Sequence, residues 1–315
     1  MKRFLIGAFI FLAVVLGVQA VDKPGIIRGS DQFEFVYRVK LPEIKGEARV
    51  WIPLAKTDVF QTLTAEKLSI PIKWEKVQDR DYGNDICVLQ PQPSDSGKTI
   101  ELRYRVVRKE KAAYPGNDAD AARYLRPEKL VPANATFKTL ALDATSGKNG
   151  DVERAKALYD HVVGRMRYDK SGTGWGRGDA VYACDARTGN CTDFHAYFIA
   201  LARSIGIPAR FAVGATIPAD KNEGAIDGYH CWAEFFADGR WVPVDISEAW
   251  KNPKLAEYYF GHNPANRFEL TKGRDLIVDP APASGPINFL AYPLLEMGGE
   301  IVKPETTFSF RRLGS

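Results

Sequence analysis

The chain has 315 residues, of which 43 are Lys or Arg and 39 are Asp or Glu, giving a formal charge of +4. Its 45% hydrophobic and 26% charged residues match an ordinary globular protein, which excludes a disordered, collagen-like or coiled-coil chain. Removing Lys2 and Arg3 with a leader takes the charge to +2 (4 − 2), so a nucleic-acid partner is not expected.

Met1, Lys2 and Arg3 make a short basic start, and Phe4 to Ala20 carries no charge. The small-residue exit Val18-Gln19-Ala20 completes the pattern of a cleavable secretory signal over residues 1–20. Export to a periplasmic or secreted location is therefore expected, with no membrane contact after cleavage. A retained signal would be a membrane anchor, although 17 uncharged residues sit at the lower limit for a span. Cys87, Cys184, Cys191 and Cys231 remain in the mature chain, and an even count in an oxidising compartment allows two disulfides in three connectivities. A mature chain of 295 residues (315 − 20) does not need such staples, which leaves room for a cysteine kept for reactivity.

Short alternating strands are predicted at 33–41, 48–55, 86–89 and 100–107, separated by Gly, Asp and Pro clusters. They indicate an antiparallel β-sandwich domain over residues 21–111. Residues 112–150, punctuated by Pro115, Pro127 and Pro132, read as a connector. From Asp151, the residues Ala155, Leu158, Val162 and Met166 give one apolar helix face. The Gly-rich stretch 172–178 follows no strand and opens no helix, so it reads as a loop carrying Trp175 rather than a phosphate cradle. A second helix is predicted from Cys191 to Ile205, with Phe194, Phe198, Leu201 and Ile205 as its buried stripe and Gly206 and Pro208 as its stop. Strands follow at 209–216, 229–236 and 241–246, the last two joined by a tight Asp238-Gly239 hairpin. Further strand-like pieces at 268–270 and 306–310 are grouped with this second domain, 151–315. Helices followed by an antiparallel sheet make the class α+β.

Three short segments carry the chemistry. In Thr188-Gly-Asn-Cys-Thr-Asp-Phe194, Asn190 is a good helix N-cap and Asp193 falls where a capping-box acid belongs. Cys191 then takes the first helical position, where free backbone N–H groups and the helix dipole favour a thiolate and could hold an oxyanion. The same placement also suits a small buried hydrophobe. The other two segments, Gly228-Tyr-His-Cys-Trp-Ala-Glu234 and Trp241-Val-Pro-Val-Asp245, are tied by the hairpin. Its turn places Ala237 opposite Arg240 and Trp232 opposite Asp245, making Asp245 a diagonal neighbour of His230 within reach of a hydrogen bond. Such a carboxylate fixes the imidazole tautomer and frees the other nitrogen for a thiol. Geometry alone leaves open a surface His beside an unrelated Asp, and Pro243 could shift the register.

These motifs, with Ile205-Gly-Ile-Pro-Ala-Arg-Phe211, resemble the transglutaminase-like superfamily over residues 150 to 250. The resemblance implies a papain-like α+β core preceded by a strand-rich domain, with Cys191 as nucleophile, His230 as base and Asp245 as orienter. His195, one turn after Cys191, is the competing base and otherwise a packing or supporting residue. Trp175 and Trp232 are candidates to line the substrate channel or to support the site. Cys231 is expected to point away from His230, behind the site, and to form a structural disulfide with Cys184. No paired CxxC is present and adjacent His230 and Cys231 should face opposite ways, so no metal and no cofactor is expected. The implied reaction is acyl transfer through a Cys thioester on a peptide or protein amide, cell-wall stem peptides included. Hydrolysis, as a peptidase or amidase, is favoured over a cross-linking acyltransferase, and a non-catalytic peptide- or cell-wall-binding module is the alternative from another class.

Overall fold

Period-two burial builds the first half of the molecule. The computed structural model describes residues 21–22 and 25–314, so the expected leader lies outside the described residues. Strand β1 (Ser30–Lys40) buries Phe33, Phe35, Tyr37 and Val39 on one face. It is followed by β2 (Ala48–Leu54), β3 (Gln61–Ser69), β4 (Trp74–Gln78), β5 (Asp85–Leu89) and β6 (Thr99–Lys109). The strands expected at 33–41, 48–55, 86–89 and 100–107 correspond to β1, β2, β5 and β6. β3 and β4 escaped the sequence reading because they lie at sheet edges and are mostly polar and exposed, which erases the alternation.

The stretch expected to be a connector holds structure of its own. β7 (Tyr114–Pro115) joins the edge of the second domain's sheet, and helix α1 (Ala135–Ala144) buries Phe137 and Ala141 in the helical core. Helices α2 (Asp151–Arg165), α3 (Ala180–Ala186) and α4 (Cys191–Ser204) follow. α4 is not striped: residues 191–203 are all buried, because other helices and a sheet enclose it.

The rest of the chain forms β8 (Ala209–Thr216), β9 (Glu223–Ile226), β10 (His230–Ala237), β11 (Arg240–Val244), α5 (Ile246–Lys251), β12 (Arg267–Lys272), β13 (Leu294–Met297), β14 (Glu300–Val302) and β15 (Glu305–Arg312). The sheet beneath α4 has the order β12-β8-β10-β11-β7, and its neighbours are antiparallel. The hairpin register is the expected one, from Ala237 opposite Arg240 to Ala233 opposite Val244. Asp238 and Gly239 take φ of 50° and 72°, the two positive values that a tight primed turn demands. The ladder stops at Val244, not 246, because α5 begins there.

The two sandwich sheets run β9-β15-β1-β6-β3 and β14-β13-β2-β5-β4. The C-terminal strands were grouped with the second domain; instead β15 pairs with β1 from Arg312↔Phe33 to Glu305↔Lys40, and β13 pairs with β2. Phe308 and Phe310 enter the sandwich core, where their apolar faces find partners that β1 and β2 cannot supply alone. The architecture is α+β with antiparallel sheets, as the element order predicted.

Candidate active site

The start of α4 is locked before any chemistry is considered. The Asn190 side chain accepts the Thr192 N–H at 3.0 Å, and the Asp193 carboxylate accepts the Asn190 N–H at 3.0 Å, forming the expected capping box. Asp193 does more than the sequence suggested. It also accepts N–H groups from Gly176 (2.7 Å) and Gly178 (3.0 Å), so the Gly-rich loop is clamped to the helix N-terminus. Burial pushes the Asp193 carboxyl up, against these N–H bonds. Gly189, at φ 155°, sits so close that a Cβ would overlap the Asp193 side chain.

Cys191 opens α4 and is 3% exposed. The neighbouring Cys231 thiol is the largest influence on its ionisation and favours the thiolate. Burial opposes ionisation, but Cys231 and the charged His230 ring hold its pKa well below the ordinary thiol range.

His230, the first residue of β10, places Nε2 2.7 Å from Asp245 Oδ2, leaving Nδ1 for Cys191. Burial disfavours the imidazolium; the Asp245 carboxylate and the Cys191 hydrogen bond outweigh it and raise the pKa to about 9. Asp245 reaches His230 by a route the strand diagonal did not foresee, as the N-cap of α5. Its Oδ1 accepts the Glu248 N–H at 3.2 Å and the Ser247 hydroxyl at 3.3 Å, while Oδ2 also takes Arg267 Nη2 at 3.3 Å. Burial would raise the Asp245 pKa, but His230 and Arg267 hold it far below the usual carboxylate range. Arg267 itself is 1% exposed on β12 and had no sequence signal, lying 22 residues beyond Asp245 in an unrelated strand. Tyr229 was also missed; its hydroxyl accepts the Asn190 amide at 3.2 Å.

The other candidates fall into place by their hydrogen bonds. His195 is buried with both ring nitrogens engaged: Nε2 accepts the Ile246 N–H at 3.0 Å, so Nδ1 carries the proton donated to the Cys191 carbonyl at 2.7 Å. It ties the start of α4 to the start of α5. Trp232 is completely buried, with its ring centroid 6.2 Å from that of His230, and does not line an open channel. Trp175 stays in the loop, donating its indole N–H to the Gly172 carbonyl at 3.2 Å.

The cysteines correct the sequence reading. All four are free thiols. Cys184 acts on Tyr197, whereas Cys231 lies 3.7 Å from His195 Nδ1 and acts on Cys191, so the two do not pair. Cys231 is not behind the site, because the face of β10 that carries it is the face that packs on α4. Among the described residues, no group of three or more His, Cys, Asp or Glu is arranged to hold a metal ion.

An α+β core with a thiol at a capped helix N-terminus facing a strand His held by a carboxylate defines a class of thiol proteins, and residues 138–246 match the transglutaminase-like superfamily. This segment is a transglutaminase-like core. An uncharacterized protein of Haemophilus influenzae is 28% identical over 214 residues, 58% of each chain. The uncharacterized protein YebA of Bacillus subtilis is 27% identical over 239 residues, 69% of this chain and 31% of that one. The similarity thus spans less than two thirds of either relative. A protein of Cytophaga hutchinsonii, provisionally described as a cysteine protease, has a similar fold, with a TM-score of 0.65 and 17% identity over 91% of this chain and 92% of that one.

Proposed function

We propose that the protein is an exported thiol hydrolase that cleaves peptide or side-chain amides through a thioester on Cys191. The observation that carries this reading is the 2.7 Å bond between His230 Nε2 and Asp245 Oδ2, made by an imidazole whose charge favours the Cys191 thiolate. The Cys191 thiolate attacks the amide carbonyl carbon, and backbone N–H groups at the start of α4 meet the developing oxyanion. His230 gives its proton to the leaving amine. It then takes a proton from water, which resolves the thioester and releases the acid. Asp245 holds His230 in orientation throughout, and His195 positions the Cys191 backbone. Trp232 backs His230, and Trp175 sits on the loop beside the helix N-terminus. The substrate class is a peptide or protein of the cell envelope, cell-wall stem peptides included, and the reading needs no cofactor. Residues 1–20 support export by their charge pattern.

The test is the pH profile of iodoacetamide labelling at Cys191, read by mass spectrometry in wild type and His230→Ala. Rapid labelling of the wild type at pH 6 is expected, falling by about two orders of magnitude in the variant as the thiol returns toward its free pKa of about 8.5. Slow, ordinary-thiol labelling in both proteins would overturn the reading. For a hydrolase, peptide turnover should then give free acid even when a primary amine is present; an amide product would make the protein a cross-linking acyltransferase.

A further inference from the structure

Cys231 has no place in the acyl-transfer steps, yet among the groups that act on the Cys191 thiol it has the largest influence. It is fully buried on the face of β10 that packs on α4, and its sulfur lies 3.7 Å from His195 Nδ1, the same nitrogen that bonds the Cys191 carbonyl at 2.7 Å. Neither remaining cysteine competes: Cys184 faces Tyr197 and Cys87 lies in the sandwich core. The two thiols also differ in kind. Cys191 is 3% exposed and poised as a thiolate, whereas Cys231 is sealed, its thiol held up by burial first and then by Cys191.

We infer that Cys231 is a resolving cysteine, and that hydrogen peroxide converts the Cys191–Cys231 pair into a disulfide that reversibly shuts the site. This rests on the reading of Cys191 as a reactive thiolate. In the first step the Cys191 thiolate attacks one oxygen of peroxide; an S–O bond forms, the O–O bond breaks, and hydroxide leaves, so the sulfur keeps the attacked oxygen with its hydrogen as the sulfenic acid. Sulfur is oxidised and peroxide reduced. In the second step the Cys231 sulfur attacks the Cys191 sulfur, the S–O bond breaks, and hydroxide leaves with the Cys231 proton as water. Neutralising Cys191 in the first step removes one of the influences that hold the Cys231 thiol up, although burial, the largest of them, remains. A dithiol reductant restores both thiols. Without Cys231 the sulfenic acid has no neighbouring thiol and proceeds to sulfinic and sulfonic acids, which such a reductant does not reverse.

The experiment treats the full chain with hydrogen peroxide, then maps its peptides by mass spectrometry without reduction, in wild type, Cys231→Ala and Cys231→Ser. The expected wild-type result is a Cys191–Cys231 cross-link, loss of two hydrogens from the intact mass, and recovery of iodoacetamide labelling at Cys191 after reduction. Both variants should instead gain two or three oxygens at Cys191 and stay unlabelled after reduction. Sulfinic or sulfonic acid at Cys191 in the wild type, at the rate seen in the variants, would overturn the inference. Because the cross-link is read without substrate, its absence in a protein with fast, His230-dependent labelling would refute this inference alone. Slow labelling would refute the underlying reading.

Discussion

His230 stays protonated to about pH 9 although it is buried, because Asp245 and Cys191 both favour the charged ring. Protonation is thereby linked to folding. The folded pKa lies above the ordinary 6.5, so the bound proton stabilises the native state fully below that pH, and the contribution is lost as pH rises through about 9. Asp245 has the opposite sign: its pKa is depressed from 3.8, so its contribution is present above that value and lost on acidification. The depressed Cys191 thiol acts with the opposite sign over this range, so the ring is tested in a Cys191→Ala background, where we predict that stability to urea falls between pH 6.5 and 10 by up to on the order of 3 kcal/mol. With His230→Gln added the decline over that range should be shallower, and equal slopes in the two proteins would disprove the linkage. Activity should follow the same ring, falling on the alkaline side near pH 9 as the imidazolium loses the proton it gives to the leaving amine.

The first turn of α4 shows how an element acquires a function beyond its own capping. Asp193 satisfies three backbone N–H groups from Gly176, Gly178 and Asn190, two of which belong to a loop more than ten residues earlier in the chain. Replacing it by Ala strands those donors in a buried setting, and a loss of about 2–4 kcal/mol is expected on the scale of unsatisfied buried groups. The measurable signs are a lower thermal midpoint and faster proteolysis within residues 172–178. Unchanged protection of that loop would show that Asp193 does not hold it. Gly189 contributes by lacking a side chain where the carboxylate passes, so the sequence Thr188-Gly-Asn-Cys-Thr-Asp encodes a cap, a close approach and a thiol at the helix N-terminus together.

The sandwich and the transglutaminase-like core share their interior. Phe268 of β12 packs against Phe35 of β1 at 4.2 Å between ring centroids, and Ala215, Ile217 and Leu270 join the sandwich cluster. Just beyond β6, Lys111 is completely buried and bonds Glu234 of β10 at 2.8 Å and Glu269 of β12 at 3.0 Å. Arg210 of β8 adds a 2.7 Å contact to Glu234, and Tyr114 donates to the same carboxylate at 2.8 Å. Burial opposes ionisation of both glutamates, but Lys111 and its cationic neighbours keep them charged. Lys111→Met should therefore cost about 3–5 kcal/mol, the range for breaking a buried pair by removing one partner. Adding Glu269→Gln should recover part of that loss in chemical denaturation, because it removes a carboxylate the first change left short of a counter-charge. Strictly additive losses would mean the two residues are not coupled.

Local patterns foretold what local forces control. Alternation marked β1, β2, β5 and β6, the Asp238-Gly239 turn set the hairpin register down to Ala233 and Val244, and the cap residues placed Cys191 at the head of α4. The motifs singled out Cys191, His230 and Asp245, because each lies beside a turn, cap or strand signal of short range. Other features depend on where distant segments meet. Polar edge strands β3 and β4 are held by a neighbouring strand and carry no period of their own. Likewise β15 is an ordinary strand in sequence, and only pairing with β1, more than 260 residues away, assigns it to the sandwich. Arg267 beside Asp245 and Cys231 beside Cys191 arise in the same way, from the packing of α4 and β12 around β10. Turn chemistry and hydrophobic period act between neighbours in the chain, whereas buried charge pairs and thiol contacts exist only once long-range packing has removed them from water.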